Sequence, residues 1–563
     1  MKINPINSNN IMPMASANKK QVTFKSGIEQ DTFEKTTDIE DKQRMLNIEN
    51  YKKLRNEFGE KLEKAMYNAE LTAWDFYTNS TGENMHKYSH AQEKMHELYK
   101  NEKLYKQLKE IKEAGLGDAH LDKQVKDLVR ALYDEIESGA EMKALRDKEN
   151  EISNKYNSYV MTIDGKKTTK AEILKILETE TNPEIRRKAY EANVKAGDVI
   201  ADDLVELVKM RNEFAKTKGY DTYFDYMVDE IYDIKPEKLD ELLNGVYSKV
   251  GKECGKYYQK RKNELIKAFG ISQGELKDWH YGLLTSDSPE KAINDYIKSK
   301  EQVVDIAKKV YSQMGYDVEN MDITLDLFPR ENKNTHGFAF CIKPGKDARI
   351  LANLTNNATS LDTILHELGH CVYDIGIDTN LPFIEQDCSS SVMTEAIAMM
   401  MGDLPKAEGI LSEIVPAEKL KLFMEELKED DARFVTRSMQ IINFEREMYK
   451  NPDQDLKLLW KNMKQKYLYR DDNTELNNEW ATIPHYLTHP GYYQNYFRAS
   501  LLKAQIYNAM KNELGDISNN PKTSEFLNSR LFKYGSSVLE EDLIVQMTGK
   551  TLSEDDFCNR ITK

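Results

Sequence analysis

Only 26 glycines and 14 prolines interrupt 563 residues, against an average usage of about 12% for the two together. These are the residues that cost a helix interior most, so the chain has few places where a helix must stop. Between them lie long, charged, amphipathic stretches. Examples are NYKKLRNEFGEKLEKAMYNAELTAWDFY, HAQEKMHELYKNEKLYKQLKEIKEAG and TNPEIRRKAYEANVKAGDVIADDLVELVKMRNEFAKTKGY. The expected fold class is therefore mostly α. Hydrophobic residues at 40% supply a sizeable core, and no internal repeat or low-complexity linker divides the chain after its N-terminus. Residues 41–563 are expected to form one domain. Residues 1–40, rich in Asn, Ser and Lys, read as a disordered tail.

The main departure from helix is NTHGFAFCIKPGKDARILANL, residues 334–354. Phe338, Phe340 and Ile342 alternate to one side, Pro344-Gly345-Lys346-Asp347 is a turn signal, and Ala348 to Leu354 reads as a returning strand. An edge strand here can either pair with an extended peptide or serve as a structural hairpin alone.

Immediately after it comes LDTILHELGHCVYDIG, residues 361–376. Leu361, Ile364, Leu365, Leu368, Val372 and Ile375 keep helical spacing, with Ser360 as the expected N-cap and Gly376 as the terminator. Residues four apart share a helix face, so His366 and His370 can converge on one cation. Glu367 is offset enough to reach a water beside it, which is the arrangement of an HExxH zinc site. A catalytic zinc needs a third ligand and an open position. Glu395, in CSSSVMTEAIAMMMGDL, is the candidate, because it sits in an otherwise apolar helix where an unpaired carboxylate is costly. The alternative is an exposed face or a salt bridge. Met393, Ile397, Met400 and Met401 read as core beside it. Further on, WATIPHYLTHPGYYQNYFR, residues 480–498, gathers His485, His489, Tyr492, Tyr493 and Tyr496, a set of donors suited to a developing oxyanion.

Charge and hydropathy narrow the partners. A formal net charge of −15 opposes nucleic acid and anionic lipid as ligands. No run of 18 apolar residues is present to span a membrane, and the N-terminus lacks the apolar core of a secretory signal. Five scattered cysteines without zinc-finger or CxxC spacing read as free thiols, which suits the cytoplasm. Cys371 and Cys388, flanking the histidine motif, read as buried small hydrophobes. His86, His90 and His96 read as surface or interhelical residues.

HELGH, TEAIA and the tyrosine-rich segment, in that order and separation, resemble the angiotensin-converting-enzyme-like zinc dipeptidyl carboxypeptidases. THGFAFCIKPGKDARI is similar to that family's substrate strand and following turn, and AELTAWDFYTNST, residues 69–81, to its N-terminal lid helix. The resemblance implies a large helical zincin body with two subdomains flanking a deep central cleft, and one zinc per chain held by His366, His370 and Glu395. It implies Glu367 as general base, with Tyr496 and His485 stabilising the intermediate, although His485 needs a one-residue insertion and His489 stays a rival. It places His336 and Ala339 against the substrate backbone and Tyr493 on the substrate's C-terminal carboxylate.

Some positions depart from the family. Ile483 replaces a carboxylate-binding lysine, and Asn495 replaces a chloride-binding arginine, which leaves chloride dependence doubtful. Met399 stands in place of the aspartate that the family carries four residues after the zinc glutamate, and Thr335 in place of a disulfide cysteine. IPHY resembles the thimet oligopeptidase and oligoendopeptidase F group instead. The expected function is zinc-dependent hydrolysis of short peptides with release of C-terminal dipeptides, by a cytoplasmic monomer. The alternatives are an endo-oligopeptidase, or an inactive peptide-binding scaffold of the same fold.

Overall fold

The computed structural model describes residues 27–563, apart from 137, 285–292, 335, 408–409 and 471–475. Residues 1–26 of the expected tail, and Thr335, thus lie outside the described residues. Residues 27–40 form the start of a helix, Gly27–Thr78. That helix joins Gly82–Tyr99, Glu102–Ala114 and Ala119–Ile136 in an N-terminal layer, closed around Tyr51, Phe58, Met95, Leu108 and Leu132. A minimal hairpin, β1 (Thr162–Ile163) and β2 (Lys166–Lys167), follows. The rest of the protein is built around two larger cores.

One core holds Leu365, Leu368, Val372, Met393, Ile397 and Met400. The other holds Phe444, Trp460, Trp480, Tyr486 and Phe497. The helix Tyr493–Leu514, called the tyrosine helix below, belongs to both. Ala499, Leu502 and Ile506 face the first core, while Phe497, Leu501 and Ala504 face the second. Its mixed hydrophobicity follows from that double burial, since a helix covered on opposite sides needs no polar stripe along either.

The hairpin stands in a three-stranded sheet. Strand β4 (Phe338–Lys343) pairs antiparallel with β5 (Asp347–Leu351), and β3 (Ile323–Asp326) lies parallel to β5 on its other side. The order β3-β5-β4 leaves β4 at an edge. Strand β3 is too short to announce itself by alternation, and the returning strand ends three residues earlier than its composition suggests. Phe338, Phe340 and Ile342 pack against Ala73 and Trp74 of the N-terminal layer, with Trp74 and Phe340 edge to face at 5.5 Å. Ala339 points the other way, into the first core. Gly345 takes φ +69° in the turn, and any side chain there would meet the Ile377 carbonyl oxygen at 2.8 Å.

The N-terminal layer is tied to the body by Arg55, whose Nη1 lies 2.5 Å from Glu385 Oε1, both side chains less than a tenth exposed. Gln124 donates to the same oxygen at 2.8 Å.

The motif helix spans Ala358–Ile375 and is capped by Asn357, not Ser360. Asn357 Oδ1 accepts from Ser360 N–H at 2.8 Å. Ser360 Oγ accepts instead from Thr355 N–H at 2.9 Å. Asparagine caps as well as serine, and Ala358 and Thr359 offer no reason to delay the helix. Gly376 ends it as expected. The glutamate helix, Ser391–Ala407, starts where Ser390 Oγ accepts from Met393 N–H at 3.0 Å. The two helices touch at Gly369, where an added Cβ would lie 2.8 Å from Ala398 Cα and 3.3 Å from Met401 Cβ.

Gly369→Ala should therefore force the helices apart and lower stability by about 1–3 kcal/mol, the usual range for overpacking. Urea unfolding measures this, and an unchanged midpoint would show that the contact is slack.

Candidate metal centre

His366 and His370 project one turn apart from the motif helix, their Nε2 atoms 3.2 Å apart and their rings nearly perpendicular at 83°. Glu395 approaches from the glutamate helix, with Oε2 3.6 Å from His366 Nε2. One atom from each of the three lies within 4.8 Å of the others. His370 is fully buried and Glu395 nearly so, at 0% and 4% exposure. Gathering two imidazole nitrogens and a carboxylate in so dry a place is costly unless a cation is shared among them. The donor set, two histidine nitrogens and one carboxylate oxygen, suits a divalent zinc. His370 Nδ1 lies 2.7 Å from Thr394 Oγ1, which occupies that nitrogen and turns Nε2 toward the cluster. The residue that orients one member of the cluster thus immediately precedes another in the chain.

Glu367 is also buried, at 4% exposure. The strand hairpin reaches it at Gly337, whose Cβ, if present, would sit 3.8 Å from Glu367 Oε1. His336, next to it, is exposed and lies with its ring 6.1 Å from Phe338, so it stands at the rim of the site. Ala339 buries its side chain and can offer a peptide only backbone. Tyr311 fixes the motif helix by donating to Leu365 O at 2.6 Å.

The first turn of the tyrosine helix lies near enough to the cluster for the Glu395 and Glu367 charges to act on the Tyr496 phenol. Tyr496 packs 5.5 Å from Tyr493 and 5.1 Å from Tyr492. Burial raises the Tyr496 phenol well above its ordinary range, and the Glu395, Tyr493 and Glu367 charges push the same way, so it stays protonated. His485 lies 4.7 Å from Tyr493 and 5.9 Å from Tyr496, ring to ring. Burial, with His489 adding to it, pulls His485 down to about 4. It is neutral at physiological pH, and neither ring nitrogen has a partner among the described residues. His489 Nδ1, by contrast, is held at 2.8 Å by Thr488 Oγ1.

Two buried titratable side chains that motif reading missed hold this segment. Arg211 donates to the carbonyl oxygens of Tyr486 and Leu487. Glu445 accepts from Gly491 N–H at 2.8 Å. Each interrupts an apolar stripe, Arg211 after Leu204, Leu207 and Val208, and Glu445 between Ile441, Ile442 and Met448. A charge on a buried face was the available signal.

A helical body carrying an HExxH helix, with a glutamate from the next helix able to share a cation with its two histidines, fits a zinc-dependent peptidase class. The sequence matches two family models in keeping with it. Peptidase family M3 matches residues 176–563, and the angiotensin-converting enzyme family matches residues 46–254. The chain belongs to peptidase family M3, whose match contains the whole cluster. Among similar proteins is the chromosomal oligoendopeptidase F of Lactococcus lactis subsp. cremoris, 23% identical over 406 residues, covering 68% of this chain and 62% of the relative. Another is the oligoendopeptidase F homolog of Lactococcus lactis subsp. lactis (strain IL1403), 22% identical over 400 residues, covering 67% and 61%. The matched stretch thus spans less than two thirds of either relative.

Thr394→Val, which removes the hydroxyl from His370, should weaken zinc binding about 10- to 100-fold in a chelator competition; unchanged affinity would deny it that orienting role. A second expectation concerns pH. Burial pushes Glu445 up to about 8, opposed by the Gly491 N–H and by Arg211. A carboxyl raised on folding stabilises fully below its ordinary value of 4.5, and that contribution is lost as pH climbs toward 8. Glu445→Gln keeps an acceptor for Gly491 and cannot ionise. Its stability relative to wild type should rise across that window in urea titrations, whereas a pH-independent difference would contradict the argument.

Proposed function

We propose that the protein hydrolyses short peptides with one zinc per chain and releases dipeptides from their C-termini. The observation that carries this reading is the gathering of His366, His370 and Glu395 on the helix pair that also buries Glu367, with Tyr496 near enough to feel the Glu395 and Glu367 charges. Bound there, zinc supplies Lewis acidity to a carbonyl and acidifies a neighbouring water.

The chain's own residues supply the remaining chemistry. Glu367 takes the proton from the attacking water and returns one to the leaving amine nitrogen. Tyr496 and neutral His485 donate hydrogen bonds to the carbonyl oxygen as negative charge develops on it. His485 suits this better than His489, whose Nδ1 is already engaged. Edge strand β4, with His336 at its start and the backbone of Ala339, holds the peptide extended. Tyr493, one turn before Tyr496, faces the substrate's C-terminal end.

A second reading, cleavage within short peptides, is supported by Ile483 in place of a carboxylate-binding lysine and by the names of the two relatives, both oligoendopeptidase F proteins. We place the protein in the cytoplasm as a monomer, in line with its composition. None of the helices among the described residues is long and apolar enough to cross a membrane.

Glu367→Gln should retain zinc and lose at least about 100-fold in kcat, the low end for a general base. Mass spectrometry of the products from a ten-residue peptide, supplied with a free and with an amidated C-terminus, separates the two readings. Dipeptides from the free form alone support the first, and internal cuts in both forms support the second. Full activity in the Glu367 variant would overturn the mechanism.

A further inference from the structure

Ile483 packs against the second core and offers no charge to a peptide's C-terminus. Another cation stands within reach of that place. The long helix Ala417–Lys450 runs antiparallel to the tyrosine helix, and three contacts set the register. Asp431 pairs with Lys503 at 2.8 Å, the Phe434 ring lies 6.4 Å from that of Tyr496, and Glu445 takes the Gly491 N–H. Arg437 lies between the second and third contacts, one turn beyond Phe434 on the same face. The register therefore sets it level with Tyr493, as Phe434 is level with Tyr496.

The environment of Arg437 is prepared for an anion. Its guanidinium lies 5.2 Å from the Trp460 ring centroid, and Nη1 donates to Gln440 Oε1 at 2.5 Å. It makes no salt bridge among the described residues, although its charge acts on the Glu479 carboxylate, which pairs with Lys464. An arginine steadied by stacking, with most of its donor fork unused, matches a planar carboxylate. Its charge is also felt at Tyr493, where it is the largest influence opposing the burial that raises the phenol.

We infer that Arg437, together with Tyr493, grips the C-terminal carboxylate of the bound peptide and so sets cleavage two residues from its end. This rests on the peptidase reading above. Tyr493 and Tyr496 are separated by about 4.5 Å of helical rise, and their rings by 5.5 Å. One extended residue spans about 3.5 Å and two about 7 Å. A carboxylate held at Arg437 and Tyr493 therefore brings one of the last two peptide bonds to Tyr496, and we take it to be the second. Phe434, 39% exposed, offers an apolar wall beside that dipeptide.

The test compares Arg437→Gln with wild type, both zinc-loaded, on the same peptide with free and amidated C-termini. The preference for the free form should fall about 10- to 100-fold, as for a lost hydrogen bond between charged partners. The loss should appear in KM with kcat largely kept, and Arg437→Lys should recover part of it. A variant that keeps the wild-type preference, or loses equally on both peptides, overturns the inference while leaving the peptidase reading intact. Should wild type cut neither peptide, the peptidase reading falls, and binding of the two peptides to Glu367→Gln protein by calorimetry still decides the question for Arg437. There a preference for the free carboxylate that vanishes with Arg437→Gln upholds it, and one that survives the substitution overturns it.

Discussion

The closeness of the motif helix to the glutamate helix governs the whole site. At Gly369 the backbone of one helix lies against Ala398 of the other with no room for a methyl group. Only at that separation can a carboxylate from one helix enter the space between two imidazoles of the other. The same closeness puts the Thr394 hydroxyl on His370. The Met393, Ile397 and Met400 stripe seals the contact from below, so the polar cluster lies between a packed apolar layer and the open side occupied by tyrosines. Small residues at the crossing and large ones behind it are what a polar cluster in a helical core requires.

The second wall is held by a different device. The tyrosine helix is buried in both cores, so its first turn cannot shift without disturbing the packing on each side. The preceding segment adds to its apolar contacts a set of buried hydrogen bonds, Arg211 on two carbonyl groups and Glu445 on an amide. The helix is thus positioned by packing, and the segment before it by packing and buried hydrogen bonds together. The neutral state of His485 follows from the same dryness. Burial leaves it uncharged and keeps a ring N–H ready to donate.

What could be read from the sequence divides along the range of the interactions. The motif helix, the placing of Glu395 on the following helix and the hairpin were legible, because each depends on periodicity or spacing within about 20 residues. The N-cap was misplaced by three positions since asparagine and serine compete for it on nearly equal terms. Strand β3 was missed because four residues carry too little alternation, and its partner β5 is supplied by the fold. Arg211, Glu445 and Arg437 were invisible for another reason. Their meaning arises from contacts with residues far along the chain, and the sequence shows only charges in unexpected company.

The tie between Arg55 and Glu385 has a mechanical consequence for the N-terminal layer. Both ends of this pair are almost entirely shielded from water, and Gln124 shares the carboxylate. Parting them slightly would leave two dry charges unpaired, at a penalty of roughly 3–5 kcal/mol. Parting them widely would let water solvate each. Any small loosening of the layer at this point is therefore opposed more strongly than a wide one.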